Sequence, residues 1–190
     1  MQLTRRAAAF ILSAGLALAC ATAAAADAPR VKFVTSMGEF VVEVYPDKSP
    51  KTVENFLAYV KAKHYDGTTF HRVIGNFMIQ GGGYDDKWRQ KPTRPPVAHE
   101  GLGVKNTVGT IAMARTADPN SATAQFFINV KDNAFLDPNG ANPGYVAFGK
   151  VVSGMETVNK IKEVATGPGG PMPSDVPKTP VMIQSATIEK

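Results

Sequence analysis

The chain has 190 residues, 44% of them hydrophobic and 19% charged, which suits one domain with appendages and a sizeable core and excludes a disordered chain. Its 17 glycines and 14 prolines, with no G-X-Y period, fit a turn-rich β protein better than a helical bundle. A single cysteine excludes a disulfide framework and any zinc site built on two or four cysteines. The formal charge of +5 is not gathered into a basic run, so nothing points to a nucleic-acid partner.

At the start, Arg5 and Arg6 precede an apolar run from Ala7 to Ala19, and small residues, Ala23 to Ala26, follow. A spanning helix needs about 20 apolar residues, so the run is too short for stable membrane insertion. A basic start, a short apolar middle and an A-x-A end are the parts of a cleavable secretory signal peptide. The expected division is therefore a signal segment, 1–26, and a mature domain, 27–190. Two other readings of this segment are weaker. Cys20 as a lipidated residue lacks the usual Leu three positions earlier, and the surroundings of Arg5-Arg6 are a poor match to twin-arginine export. Cleavage would remove both arginines and Cys20, leaving a charge of +3 and no thiol. That composition suits an oxidising compartment.

In the mature chain, Val31, Phe33 and Thr35 alternate, Ser36-Met37-Gly38 supplies a turn, and Phe40, Val42 and Val44 alternate again, which predicts a hairpin. Ser49-Pro50 predicts a helix start, with Ser49 as cap, and Val53, Phe56, Leu57 and Val60 form one apolar stripe. Thr68 to Val73 and Phe77 to Gln80 read as short strands broken at Gly75-Asn76. Residues 84–108 read as a long loop, either functional or wrapped on the surface. Strands are expected at Thr110–Ala114, Gln125–Val130, Val146–Val152 and Val181–Ile188. Gly154 precedes a second helix carrying Met155, Val158 and Ile161, and Gly167 to Pro171 reads as a flexible loop. Seven or eight short strands and two helices without βαβ alternation predict a mainly β fold, a closed antiparallel barrel capped by helices.

No GxSxG, P-loop, HExxH or paired CxxC is present. His64, His71 and His99 are too scattered for a metal set, and Asp85-Asp86 reads as a solvated pair. No metal and no cofactor is expected. One constellation remains: Phe70 to Gly82 (FHRVIGNFMIQGG) and Gln125 to Asn129 (QFFIN) set Arg72, Gln80 and Gln125 among large apolar groups. In an alternating strand Phe127 shares a face with Gln125, and Phe126 takes the other. Plain barrel packing, with Arg72 and Gln125 reaching solvent, accounts for this spacing as well.

FHRVIxxFMIQGG, then TIAMAR at 110–115, AQFFI at 124–128, Phe135-Leu136-Asp137 and Phe148-Gly149-Lys150-Val151 together resemble the cyclophilins, peptidyl-prolyl cis-trans isomerases, across about Val31 to Ile188. The exported form is most similar to the bacterial periplasmic branch. The resemblance implies an eight-stranded antiparallel barrel with two capping helices, and an enzyme that rotates X-Pro bonds. It makes Arg72 the catalytic arginine and Gln80 its polar partner. Phe77, Met78, Phe127 and Leu136 become the proline pocket. Gln125 would hold the substrate backbone and the arginine, and Ala114 and Arg115 would line the groove largely through main chain. Phe135 and Tyr145 also fall among the implied substrate-binding residues, Phe135 where a tryptophan is usual and Tyr145 where a histidine is usual, and Arg115 stands where an asparagine is usual. The missing tryptophan implies weak cyclosporin binding. Gly75-Asn76 lacks a proline common at that turn, which leaves it less constrained.

The implied partners are proline-containing polypeptides, met by a monomer in the periplasm, where the enzyme would assist folding of exported proteins. Two competing readings are a binding module that holds proline segments without turning them over, and a hollow small-molecule barrel. Arg72 with Gln80 speaks against the first. Phe33, Phe40, Ile79, Ile111, Phe126 and Ile128, enough to fill an interior, speak against the second.

Overall fold

The computed structural model describes residues 28–101 and 103–189. The expected signal segment and Cys20 lie outside the described residues. The first alternation forms β1 (Arg30–Thr35) and β2 (Gly38–Val44), antiparallel with Phe33 opposite Phe40. Val31, Phe33, Phe40, Val42 and Val44 all face inward and are buried.

The helix α1 (Pro50–Lys61) buries Val53, Phe56 and Val60 as expected, with Thr52 and Tyr59 beside them. Its start differs from expectation. The Ser49 hydroxyl does not cap it and is buried without a partner. The Glu100 carboxylate accepts instead from the N–H groups of Lys51 (2.9 Å) and Thr52 (2.7 Å) and from the Thr52 hydroxyl (2.7 Å). A carboxylate at the positive end of a helix satisfies more donors than one hydroxyl and interacts favourably with the dipole.

The remaining elements are β3 (Thr68–Thr69), β4 (Arg72–Ile74), β5 (Met78–Gly81), β6 (Thr110–Met113), β7 (Phe126–Asn129), β8 (Ala147–Ser153), α2 (Met155–Lys162), β9 (Thr166–Gly169), β10 (Met172–Pro177) and β11 (Met182–Ile188). Nine strands form one antiparallel sheet in the order β3-β11-β1-β2-β8-β6-β7-β5-β4. The expected closed, eight-stranded ladder is corrected by this order. The two edge strands, β3 and β4, are separated in sequence by Phe70 and His71 alone. Counted as one bent strand they restore eight, and the chain itself joins the edges. Thr69 marks the bend, since it bonds Tyr84 and Gly82 while Phe70 N–H bonds Val181.

The segment 167–171 is not a free loop. β9 and β10 form a separate two-stranded hairpin, with Met172 opposite Gly169 and Val176 opposite Gly167. Within the stretch read as a long loop, residues 91–100 run over the surface beside α1. Glu100 reaches the helix start, Arg94 N–H donates to the Tyr59 hydroxyl (2.7 Å), and Lys91 Nζ donates to the His64 carbonyl (2.7 Å).

The interior is filled by aromatic rings. Phe33 stacks on Phe40 at 4.9 Å between centroids and meets Phe126 at 5.4 Å, while Phe56 meets Phe148 at 5.0 Å. Ile79, Ile111 and Ile128 are fully buried with them. The filled interior overturns the hollow-barrel reading, so any ligand has to bind outside the sheet.

Candidate active site

The period of two in β5, β6 and β7 sorts their residues between two clusters. Ile79, Ile111, Phe126 and Ile128 join the interior. Met78, Ala112 and Phe127 face outward and pack with Leu136 and Ala147 into a second apolar cluster. Phe127 lies opposite Gln80 on β5 and opposite Ala112 on β6. A groove of about 350 Å³ opens over this outer face.

The apolar end of the groove is formed by Phe77, Met78, Phe127, Leu136 and Tyr145. Met78, Phe127 and Leu136 are nearly covered by their neighbours, so they form a floor more than a rim. Phe77 sits on the turn between β4 and β5. That turn is closed by Phe77 N–H donating to the Ile74 carbonyl at 2.9 Å, so the absent proline does not leave it open. Phe135, by contrast, is 62% exposed and lies outside the groove, stacked on Phe77 at 5.5 Å.

The two walls are tied by a buried amide network that sequence reasoning missed. Asn133 Nδ2 donates to the Phe77 carbonyl (2.9 Å) and to Asn129 Oδ1 (2.7 Å). Asn129 Nδ2 donates to Asn106 Oδ1 and Thr110 Oγ1. Asn106 in turn donates to Asp137 Oδ1 and to the Tyr145 carbonyl. The Phe77 turn and the 136–145 segment are thereby fixed relative to each other. Asn129 and Asp137 sit inside the QFFIN and FLD motifs, so the signal was present as polar residues amid apolar ones.

Ala114 and Arg115 line the side of the groove. Ala114 uses its main chain, N–H to the Gln125 carbonyl at 2.9 Å. Arg115 uses its side chain as well. Its guanidinium donates to the Gly144 carbonyl (2.8 Å) and the Thr116 carbonyl (2.8 Å) and lies 4.4 Å over the Tyr145 ring. It braces Tyr145, and a cation over an aromatic face is itself attractive.

The polar end carries Arg72 and Gln80, cross-strand partners on β4 and β5. Gln80 Nε2 donates to Gln125 Oε1 at 2.9 Å, which sets Gln125 behind Gln80 and outside the groove lining. Gly83 makes room for Gln125, since a Cβ there would lie 2.6 Å from its carboxamide. Arg72 itself, about one-third exposed, has Asp175 of β10 as its ion-pair partner, Nε to Oδ2 at 4.0 Å. Met172, also on β10, completes the lining. Neither was singled out from sequence, because both lie beyond the glycine- and proline-rich stretch read as a loop. Beneath Arg72, His71 is buried against Tyr84 with ring centroids 4.9 Å apart. Burial pushes its pKa down to about 4, with hydrogen bonding to the Thr69 backbone opposing. It is neutral at physiological pH.

A filled antiparallel barrel with an external groove, apolar at one end and carrying Arg72 and Gln80 at the other, fits an enzyme that holds a peptide segment and acts on it without covalent chemistry. The comparisons agree. Residues 30–188 match the family described as Cyclophilin type peptidyl-prolyl cis-trans isomerase/CLD, and the chain belongs to that family. It is 52% identical over 164 residues to Peptidyl-prolyl cis-trans isomerase B of Escherichia coli (strain K12), spanning 84% of this chain and 99% of the other. It is 54% identical over 162 residues to Peptidyl-prolyl cis-trans isomerase cyp18 of Streptomyces antibioticus, spanning 83% and 97%. A crystal structure of a cyclophilin type isomerase from Cryptosporidium parvum matches with a TM-score of 0.69 at 27% identity, covering 86% of this chain and 98% of that one. A second, in the presence of dipeptide Ala-Pro, matches at 0.68 and 27% identity, covering 85% and 99%. The activity is peptidyl-prolyl cis-trans isomerisation.

Proposed function

We propose that the enzyme acts in the periplasm as a monomer on exported polypeptides, assisting their folding, with Arg72 stabilising the twisted prolyl amide. Rotation about a peptide bond meets a barrier of about 18–20 kcal/mol because conjugation is lost. For X-Pro the two planar forms differ by about 0.5–1 kcal/mol. The catalyst has to favour the twisted amide over both planar forms, without making or breaking a covalent bond. On twisting, the prolyl nitrogen becomes pyramidal and regains its lone pair. A guanidinium aimed at that nitrogen stabilises this state alone, and Arg72 offers one with planar N–H donors.

A charge-assisted hydrogen bond contributes about 1.5–3 kcal/mol, and a preorganised donor up to about 4. A millionfold acceleration needs about 8 kcal/mol. Arg72 therefore supplies part of the effect. The rest comes from gripping the proline ring against Phe77, Met78, Phe127 and Leu136 while the preceding carbonyl swings. The observation that carries this reading is the Arg72 guanidinium at the polar end of a groove of about 350 Å³ whose other end is walled by Phe77, Met78, Phe127 and Leu136. The Ala-Pro dipeptide named with the Cryptosporidium parvum relative supports proline-containing segments as ligands. With Phe135 turned out of the groove lining, cyclosporin binding is weak on this reading.

The test is kcat/KM on an Ala-Pro peptide for wild type and Arg72→Ala. A loss of about 100-fold, as when one preorganised donor is removed, with an unchanged fold, supports the mechanism. Full activity in the variant refutes it. A signal-peptide cleavage assay in a Gram-negative host, followed by fractionation, tests the location.

A further inference from the structure

We infer that Asp175 is a positioning residue for Arg72, and that the β9–β10 hairpin is the arm that presents it. The proposal rests on Arg72 being the group that stabilises the twisted amide.

Asp175 Oδ2 lies 4.0 Å from Arg72 Nε, within ion-pair range but beyond hydrogen-bond distance. It steers the guanidinium by charge without saturating its N–H donors. Among the described residues, this is the ion pair Arg72 makes. The other arginine of the groove, Arg115, is held on the Gly144 and Thr116 carbonyls and does not compete for Asp175.

The backbone is arranged to bring the carboxylate there. Asp175 sits at φ +66°, in the left-handed region that side-chain-bearing residues seldom adopt. The pairing of β10 with β9 is irregular between Met172 and Val176, which frames this residue. The Ser174 hydroxyl donates to Asp175 Oδ2 at 3.0 Å and steadies the carboxylate. The turn of the hairpin is pinned from the other side, because Gly170 lies directly against the Trp88 indole and leaves no room for a Cβ. On the same strand, Met172 enters the groove lining that Arg72 shares. The hairpin therefore contributes both an apolar wall and a counter-ion, from outside the main sheet.

Asp175→Asn and Asp175→Gly both tolerate a positive φ and keep the turn. If the carboxylate matters, both lower kcat about fivefold with KM changed less than about twofold, in the range of a partly exposed ion pair. Salt gives an independent readout. Raising KCl to 0.5 M lowers wild-type kcat toward the variants, whose own kcat does not respond, because screening removes the same interaction. Wild-type kcat in either variant, or a loss unaffected by salt in the wild type, overturns the proposal. Arg72→Ala is run alongside. If it is slow while both Asp175 variants are normal, the role of Asp175 alone falls. If it is fast, the reading of Arg72 falls and this one with it.

Discussion

Gln80 Nε2 donates to Gln125 Oε1 at 2.9 Å, so the carboxamide that lines the groove from β5 is bonded to one behind it, on the residue just before β7. Arg72 is tied to Gln80 by strand register and faces Asp175 with its charge. The polar end of the site is thus a carboxamide pair beside an ion pair.

Gly83 is expected to be as important as Gln125 itself. Gly83→Ala would push a methyl to 2.6 Å from the Gln125 carboxamide and displace it. Each of Gly83→Ala and Gln125→Ala should reduce kcat/KM about fivefold, the effect of one neutral hydrogen bond of about 1 kcal/mol. The double variant should be little worse than either single one, because both remove the same bond. Additive losses in a double-mutant cycle would contradict the pairing.

Phe126 and Phe127 are sequence neighbours on opposite faces, and their substitution should separate stability from activity. Phe126 is fully buried in the aromatic interior, so Phe126→Ala should cost about 3–5 kcal/mol in denaturant unfolding. Phe127→Leu should leave most of the stability and raise KM for the proline peptide, since its ring floors the groove. A Phe127→Leu enzyme with unchanged KM would remove the ring from the pocket account.

Glu100→Gln should lower stability by about 0.5–2 kcal/mol and leave kcat/KM unaltered. The carboxylate caps α1, far in function from the groove, and its charge interacts with the helix dipole. Thermal melts and a single activity assay check both halves. An activity loss without a stability loss would contradict the structural role.

Stability should fall as the pH drops from about 6.5 to about 4. The unfolded His71 takes up a proton near pH 6.5, while burial in the folded protein delays protonation to about 4. Protonation thus favours the unfolded chain throughout that window, by about 3 kcal/mol at its lower end. His64, also lowered, first by burial and then by Lys91, acts in the same direction. Asp85 has its pKa lowered, first by hydrogen bonding to the Arg89 backbone, so the stability it contributes is lost only below about pH 4. Urea unfolding at several pH values should show a flatter profile for His71→Phe than for wild type. Identical slopes would assign the acid sensitivity elsewhere.

Much of the architecture was legible in the chain because the signals were local. The alternation in 31–44 and 125–130, the Pro50 helix start and the Gly154 break each translate directly into an element. The groove residues were legible through motif resemblance: Arg72, Phe77, Met78, Gln80, Ala114, Arg115, Phe127, Leu136 and Tyr145 converge on one lining, with Gln125 behind it and Phe135 outside. What escaped was non-local. Ser49 has the chemistry of a cap, yet a carboxylate 48 residues beyond Thr52 takes the donors. The β9–β10 hairpin is written in Gly, Pro and Ser, which carry little strand preference. Its place beside Arg72 follows from tertiary packing, so Met172 and Asp175 could not be read from spacing.

The most direct test of the central claim is the interconversion rate of an Ala-Pro peptide held at saturation, followed by NMR exchange for wild type and Arg72→Ala. Saturation separates turnover from binding. The account predicts that the variant, still folded and still binding the peptide, interconverts the bound isomers far more slowly. A variant that interconverts them at the wild-type rate would show that the pocket, without the guanidinium, is the catalyst.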